Sequence, residues 1–254
     1  MSQTAPLKDK WIVITRPAHQ SENLKRKLES GGAKPILFPL IKIIPPADLG
    51  LIEKQLDNLQ AYDLVIFVSA NAVNHTFEKI SPSVLQNVKV ATTGKKTADA
   101  LEQLAIKIDF CPKEFFNSEA LLAMSEFSDY CGDKKIAIIR GEGGRDLLRD
   151  ELQQKGASVD YINTYQRVCP QIDLDALEQR AKQGELDVVL LTSGTSVANF
   201  FGLAQEADWV NQLTLLLGST RMQKKIPDSF QGKLLVAEDP SDETLYEKLT
   251  ISFN

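Results

Sequence analysis

The sequence contains two copies of one unit, and this duplication restricts the possible folds more than any other feature. The segment KWIVITRPAHQSENLKRKLESGGAKPI from Lys10 aligns without gaps with KKIAIIRGEGGRDLLRDELQQKGASVD from Lys134, a shift of 124 positions (134 − 10). The same shift aligns DLVIFVSANAVNHTF from Asp63 with DVVLLTSGTSVANFF from Asp187. Two units of that size nearly fill the 254 residues. A repeat this long predicts two similar domains rather than a solenoid.

Each copy alternates short apolar segments with helix-like amphipathic ones. The apolar segments are WIVIT, KPILFPLIKII, DLVIFVS, VKVATT and IKIDF in the first copy, and KIAII, SVDYINT, DVVLLTS, TLLLG and KLLVA in the second. This alternation of strands and helices predicts parallel sheets that are covered by helices. The sequence therefore predicts an α/β protein with two flavodoxin-like, doubly wound parallel-sheet domains of about five strands each.

Two segments are long for a single strand. LFPLIKII ends at Pro45 and Pro46, and its equivalent in the second copy, YINTYQRVCP, ends at Pro170. Because proline cannot continue a central strand, each segment either leaves one sheet and crosses to the other or forms a surface loop after its strand. The pattern by itself favours neither interpretation.

Composition and charge exclude several classes of function. The net charge of −5 argues against a general binder of nucleic acid or anionic membranes. No apolar run approaches the roughly 18 residues that a spanning helix requires, and the start, MSQTAPLKDK, lacks an apolar signal core. Cys111, Cys131 and Cys169 form no CxxC motif, which argues against a disulfide framework or a zinc ribbon. These features predict a soluble protein of the cytoplasm.

The turns after the predicted strands are rich in serine, threonine and glycine. In open parallel sheets, ligands bind beyond the carboxyl ends of the strands, where such turns lie. The first amides of the following helices and the helix dipole favour anions there. The same residue types are also the ordinary N-caps of helices, and capping is the favoured interpretation for any one turn taken alone.

The segment RGEGGR at 140–145 is more specific than the other turns. Its glycines allow backbone amides to approach a ligand, and its two arginines can bind a carboxylate or phosphate bidentately. It matches neither the P-loop nor the dinucleotide motif. His19 and His75 stand in no metal-ligand spacing, and no GxSxG elbow is present. We therefore expect no metal and no cofactor.

In order and spacing, these motifs resemble the uroporphyrinogen-III synthase family over nearly the whole chain. The resemblance rests on Thr15-Arg16-Pro17, Phe67-x-Ser69-x-Asn71-Ala72-Val73, Gly94-x-x-Thr97-Ala98, Arg140-Gly141-x-x-Gly144-Arg145-x-x-Leu148, Gly156-Ala157, Tyr165-x-Arg167, Thr192-Ser193-Gly194-x-Ser196 and Ser241-Asp242-Glu243. It implies two flavodoxin-like domains joined by a two-stranded linker. One domain would comprise 1–40 and 171–254 and the other 46–164, with crossovers near 41–45 and 165–170. The copies would have exchanged their first strand–helix–strand portions.

The reaction that the resemblance implies is a cyclisation in haem biosynthesis. A lyase of this family closes the linear tetrapyrrole hydroxymethylbilane to uroporphyrinogen III, with loss of water and inversion of ring D. The hydroxymethyl group leaves to give an azafulvene, and reaction at the substituted carbon of ring D gives a spiro intermediate that fragments and recloses. Such a reaction needs orientation and charge stabilisation rather than a metal, a cofactor or a catalytic triad.

The resemblance also implies roles for particular residues. Tyr165 would be the acid that assists departure of the hydroxyl group, although it could instead only pack between domains. Where many members carry threonine three residues after a glycine, this chain has Ser219-Thr220-Arg221-Met222, so that Thr220 or Arg221 would take over that contact. The eight substrate carboxylates would be bound by Arg16, Ser69, Asn71, Thr97, Arg140, Gly141, Arg145, Ser193, Gly194, Ser196, Thr220 and Arg221.

A function of another class fits the same pattern. A non-enzymatic two-domain sensor that binds a small anionic metabolite would show the same repeat and the same serine-rich turns. The expected partner is a small tetrapyrrole polycarboxylate, with no nucleic acid and no membrane, and the protein is expected to be a monomer. The sequence leaves open a transient contact with hydroxymethylbilane synthase, which makes the unstable bilane.

Overall fold

The computed structural model describes residues 5–205 and 207–253, and its contacts divide the chain into two units. The discontinuous unit comprises Met1–Lys42 and Val168–Asn254, and the inserted unit comprises Ile43–Arg167. Positions 1–4, 206 and 254 lie outside the described residues. Positions 1–4 are the first part of MSQTAPLKDK, the stretch for which the sequence predicts no signal core.

Ten strands follow one another along the described residues. They are β1 (Trp11–Ile14), β2 (Lys34–Leu37), β3 (Lys42–Ile44), β4 (Leu64–Phe67), β5 (Lys89–Thr92), β6 (Lys135–Gly141), β7 (Ser158–Val168), β8 (Val188–Leu191), β9 (Thr214–Leu217) and β10 (Lys233–Val236). The discontinuous unit contains a sheet of order β10-β9-β8-β1-β2, and the inserted unit one of order β3-β7-β6-β4-β5. Apart from the edge strand β3, neighbouring strands pair in parallel.

Each sheet combines strands from both copies of the repeat. In the discontinuous unit, β1 and β2 of the first copy pair beside β8 to β10 of the second. In the inserted unit, β6 and β7 of the second copy pair beside β4 and β5 of the first. The register repeats as well, since Trp11 faces Lys34 in one sheet and Lys135 faces Ser158 in the other, each shifted by 124. The predicted pair of doubly wound parallel sheets is confirmed, and the two copies have exchanged their first two strands.

Helices cover both faces of each sheet. The α-helices are α1 (Glu22–Ser30), α2 (Leu49–Asp57), α3 (Ala70–Phe77), α4 (Lys95–Gln103), α5 (Ser118–Leu122), α6 (Ser125–Tyr130), α7 (Leu147–Gln154), α8 (Asp175–Lys182), α9 (Gly194–Ala204) and α10 (Asp242–Phe253). Apolar residues four apart give α1 a buried face through Leu24 and Leu28, and α7 repeats it with Leu148 and Leu152. No described helix is both long and apolar enough to cross a bilayer.

The central strands explain why the sheets are buried on both sides. All four residues of β4, LVIF, and all four of β8, VVLL, are buried. Because helices pack on both faces, a central parallel strand is apolar at every position rather than at alternate ones. Two apolar clusters per unit result, one on each face of its sheet.

One predicted segment divides between the two sheets, and another is almost lost as a strand. KPILFPLIKII follows the first of the two alternatives that the sequence left open, because it is interrupted after Leu37 and supplies β2 to one sheet and β3 to the other. IKIDF is reduced to a single parallel bridge between Phe110 and Ala91. There the Asp109 carboxylate accepts the backbone N–H of Val90 at 3.0 Å and thereby takes the place of a backbone partner.

Candidate functional site

The carboxyl ends of the strands bring the predicted site residues to one edge of each sheet. Since neighbouring strands run parallel, the turns that follow them lie along that same edge. The inserted unit contains seven of these residues: Ser69, Asn71, Thr97, Arg140, Gly141, Arg145 and Tyr165. The discontinuous unit contains the other six: Arg16, Ser193, Gly194, Ser196, Thr220 and Arg221.

Tyr165 owes its direction to a bulge in β7. Arg140 of β6 faces Asn163, but the next residue, Gly141, faces Tyr165, so Thr164 is left over. In a regular strand Ile162 and Tyr165 would lie on opposite faces, because side chains alternate. With the extra residue, both pack into the same apolar cluster. Tyr165 is consequently 2% exposed.

The ring of Tyr165 is enclosed by its neighbours. A Cβ atom at Gly141 would lie 2.5 Å from Cε2 and Cζ of the ring, so only glycine leaves room for it. The ring of His75 stacks on it with centroids 5.7 Å apart and planes inclined by 28°. The guanidinium of Arg167 lies 5.6 Å from the ring centroid. These contacts fix the plane of the phenol.

The hydroxyl group of Tyr165 is bound to the start of a helix. Ser69 is the N-cap of α3, and its Oγ accepts the N–H of Ala72 at 3.1 Å. The same Oγ lies 3.0 Å from Oη of Tyr165. Sequence reasoning assigned these two residues separate roles, and nothing in the linear pattern indicated that they are bonded to each other.

The segment RGEGGR folds around the side chain of Arg140. The buried guanidinium donates to the carbonyl oxygens of Gly141 and Arg145, at 3.2 Å each, and to that of Gly143. Gly143 and Gly144 adopt positive φ angles of 73° and 103°, which glycine tolerates. The N–H donors of Arg140 thus hold the loop in shape. Binding of a ligand carboxylate by Arg140 stays a prediction, and it would require these bonds to be exchanged.

Arg145 and Tyr161 add charged contacts to this loop. Arg145 forms a two-pronged pair with Glu119 in the first turn of α5, and this hydrogen bond raises the pKa of the Arg145 guanidinium. Tyr161 donates to Asp146 Oδ1 at 2.9 Å. Burial, together with this hydrogen bond, raises the pKa of Tyr161. Both contacts anchor the carboxyl end of the loop.

The remaining predicted residues of the inserted unit lie at two helix starts. Asn71 is in the first turn of α3. Thr97 is in the first turn of α4, where it is buried, and its N–H donates to the carbonyl oxygen of Gly94 at 3.0 Å. Lys95 and Lys96, which sequence reasoning did not select, are exposed in the same turn.

In the discontinuous unit, Arg16 forms a buried ion pair. Its Nη1 donates to Asp242 Oδ1 at 2.5 Å, and each residue is 8% exposed. Its Nε donates to Thr192 Oγ1 at 3.2 Å, and its Nη2 donates to the carbonyl oxygen of Pro240. Arg16 therefore ties the end of β1 to the start of α10. Its predicted contact with a ligand carboxylate stays a prediction.

The start of α9 is closed by a reciprocal cap. Ser193 Oγ accepts the N–H of Ser196 at 3.0 Å, and Ser196 Oγ accepts the N–H of Ser193 at 3.1 Å. Gly194 is in van der Waals contact with Lys225, whose Cε would lie 2.8 Å from a Cβ at Gly194. Lys225 is exposed and forms no ion pair with any described residue. Sequence reasoning missed it, because 31 positions separate it from Gly194.

Thr220 and Arg221 lie in the 3-10 helix Thr220–Lys225, which follows β9, and both are exposed. Within the described ranges, no group of three or more His, Cys, Asp or Glu side chains could hold a metal ion. Each sheet edge offers hydroxyl groups, helix amides and cations.

Comparison with known proteins identifies relatives over most of the chain. The family model described as uroporphyrinogen-III synthase HemD matches residues 22–247. A uroporphyrinogen-III synthase from Escherichia coli is 28% identical over 94% of this chain and 99% of its own length. Another, from Synechococcus elongatus, is 31% identical over 80% of this chain and 79% of its own length. The crystal structure of a mutant uroporphyrinogen III synthase from Thermus thermophilus shares the fold, with a TM-score of 0.63, 17% identity and coverage of 95% and 96%.

Proposed function

We propose that this chain, which belongs to the uroporphyrinogen-III synthase family, closes hydroxymethylbilane to uroporphyrinogen III with loss of water and inversion of ring D, in haem biosynthesis. The family match across residues 22–247 carries this proposal. The geometry is compatible with it, because each sheet edge presents hydroxyl groups, helix amides and cations that suit a polycarboxylate. The activity is that of a lyase.

Tyr165 is the proposed acid. Its phenol proton passes to the departing hydroxyl oxygen, the C–O bond breaks, and the electron pair of the pyrrole nitrogen completes the azafulvene. The products of this step are water, a cationic bilane and the tyrosinate. The proton that ring D loses on reclosure returns to the tyrosinate, so the enzyme ends as it began. His75 and Gly141 support this role by fixing the ring.

The proposed carboxylate contacts lie at the carboxyl ends of the strands in each unit. Asn71, Thr97, Ser193, Gly194 and Ser196 lie at the starts of three helices, where the helix dipole attracts anions. Ser69, Arg16, Arg140, Gly141, Arg145, Thr220 and Arg221 complete the set. Arg16 and Arg140 take part only if they exchange their present bonds.

We further propose that the two units are the two domains, with limits at 1–40 with 171–254 and at 46–164. In this proposal the protein is a cytoplasmic monomer and its partner is the tetrapyrrole. It also makes transient contact with hydroxymethylbilane synthase. The three free cysteines support a reducing compartment. Size-exclusion chromatography with light scattering tests the oligomeric state.

The product isomer tests the proposed function. The full chain is supplied with freshly made hydroxymethylbilane, and the oxidised products are resolved into isomers I and III. We expect isomer III to predominate, whereas the reaction without protein gives isomer I by spontaneous closure. Isomer I as the sole product at every protein concentration would refute the enzyme and would leave the sensor of small anionic metabolites as the function to test by direct binding.

A further inference from the structure

Ser69 and its repeat equivalent Ser193 begin corresponding helices but use their hydroxyl groups differently. The hydroxyl group of Ser193 is occupied within its own helix, because it accepts the N–H of Ser196 at 3.0 Å and donates to Ser196 Oγ at 3.2 Å. At the position equivalent to Ser196, the inserted unit has Ala72. Ser69 therefore keeps its backbone cap but has no side-chain partner in α3, and its hydroxyl group is directed to Tyr165 at 3.0 Å.

Tyr165 needs such a partner because its ring is fixed and its proton is not. Gly141 and His75 hold the plane of the phenol, but they leave the torsion of the O–H bond free. A single hydrogen-bond donor at Oη sets that torsion. Ser69 Oγ carries one hydrogen and already accepts from Ala72, so its proton is available for Oη.

We propose that Ser69 is a positioning residue that acts through Tyr165, and this inference rests on the proposed function. Ser69 donates to Oη, so that the phenol proton points away from α3 and toward the leaving oxygen. When the C–O bond breaks and the proton moves to that oxygen, the negative charge that forms on Oη remains hydrogen-bonded to Ser69 at the positive end of α3. No further reactant is needed, since the tyrosinate regains its proton when ring D recloses.

This role differs from the carboxylate contact that the resemblance implies for Ser69. A residue that binds a substrate carboxylate directly contributes whether or not Tyr165 has its hydroxyl group. A residue that positions Tyr165 contributes only while that hydroxyl group is present. A double-mutant cycle separates the two cases.

The cycle uses Ser69→Gly, Tyr165→Phe and the combined variant. Glycine is chosen because a helix N-cap tolerates it better than alanine. In the wild-type background, we expect Ser69→Gly to lower kcat about 10-fold, as loss of one hydrogen bond to a developing charge would, with KM nearly unchanged. In the Tyr165→Phe background, we expect no further loss. An equal loss in both backgrounds, or a change confined to KM, would overturn the proposal.

Two controls keep the result interpretable. Asp48→Ala removes an N-cap of α2 in the same unit, where Asp48 accepts from Leu51 at 2.9 Å, and we expect kcat to be unchanged. Ser69→Thr keeps the hydroxyl group, and we expect it to restore most of the activity.

Urea unfolding of the same variants tests the hydrogen bond without turnover. If Ser69 and Tyr165 are bonded, their effects on the unfolding midpoint are less than additive, and strict additivity would overturn the bond and the proposal with it. A wild-type chain that makes only isomer I, together with coupled midpoints, would instead place the failure in the proposed function.

Discussion

The two units descend from one repeat, yet they use the same buried arginine differently. Arg16 and Arg140 occupy equivalent positions at the ends of β1 and β6. Arg16 forms an ion pair with the buried carboxylate of Asp242 at the start of α10. At the equivalent position, α5 begins with Ser118, and Arg140 turns to the carbonyl oxygens of its own loop. Where Asp242 is present, the arginine binds the start of a helix, and where serine replaces it, the arginine binds the carbonyl oxygens of its own loop.

A second set of differences favours the inserted unit as the place of the chemistry. Where the discontinuous unit has Ile41, Pro17 and Ser196, the inserted unit has Tyr165, Gly141 and Ala72. Tyr165 supplies a phenol, and Gly141 makes room for the phenol ring. Ala72 leaves Ser69 available to bond to the phenol hydroxyl group. Since the three changes meet at one side chain, the repeat supplies two scaffolds and only one proposed acid.

The largest effect is expected from breaking the buried ion pair between Arg16 and Asp242. Asp242→Ala leaves the guanidinium of Arg16 buried without its carboxylate, so we expect a loss of about 3–5 kcal/mol in the free energy of unfolding. Asp146 lies 3.6 Å from Arg140 and also accepts from Tyr161, but its side chain is 48% exposed, and we expect Asp146→Ala to lose only about 1–2 kcal/mol. Urea unfolding of the full chain measures both. Equal losses would show that the two arginines are held alike.

Removal of the phenol hydroxyl group tests where the chemistry lies. We expect Tyr165→Phe to lower kcat about 10²-fold or more, because proton transfer by a positioned acid contributes that much. The fold is retained, since the ring stays in place. Tyr62→Phe is the matched control, because Tyr62 is a buried tyrosine of the same unit whose hydroxyl group donates to Asp160 at 2.9 Å. Its turnover should stay at the wild-type value, and a loss as large as that of Tyr165→Phe would contradict the assignment.

The fold could be predicted because the repeat and the apolar strands are local patterns. KPILFPLIKII shows the limit, since its apolar residues continue on both sides of the break after Leu37. Which sheet each part joins depends on strands that are distant in the chain. IKIDF fails for a related reason, because the carboxylate of Asp109 competes for a backbone partner of the strand.

The sequence could predict that the candidate residues lie along the sheet edges, but not which bonds they form. The turns after the strands do lie along the sheet edges, as the topology requires. Whether the buried arginine binds a carboxylate or the carbonyl oxygens of its own loop depends on Asp242, which is 226 positions from Arg16. The direction of Tyr165 depends on one extra residue in β7, and no sequence motif marks such a bulge. These features arise only when distant segments meet.

A smaller effect is expected from filling the space under the phenol ring. In Gly141→Ala the new methyl group would lie 2.5 Å from the ring, so we expect a loss of about 1–3 kcal/mol in unfolding free energy together with reduced turnover. Gly202→Ala is the matched control in the other unit. Apart from the backbone of α9, no atom of the described residues lies within 4 Å of a Cβ added at Gly202, and we expect a gain of up to about 1 kcal/mol. A neutral Gly141→Ala with full activity would show that the ring is free to move.

The smallest effect is expected from converting one helix start into the other. Ser196→Ala gives α9 the residue that α3 has at Ala72, and it removes the bond that Ser196 Oγ accepts from the N–H of Ser193. Ser193 still caps the helix through the N–H of residue 196, so we expect a loss of only about 0.5–1.5 kcal/mol, measured by urea unfolding. Because Ile41 stands where the inserted unit has Tyr165, the freed hydroxyl group of Ser193 meets no phenol. A loss above about 3 kcal/mol would mean that the reciprocal cap holds far more than one helix turn.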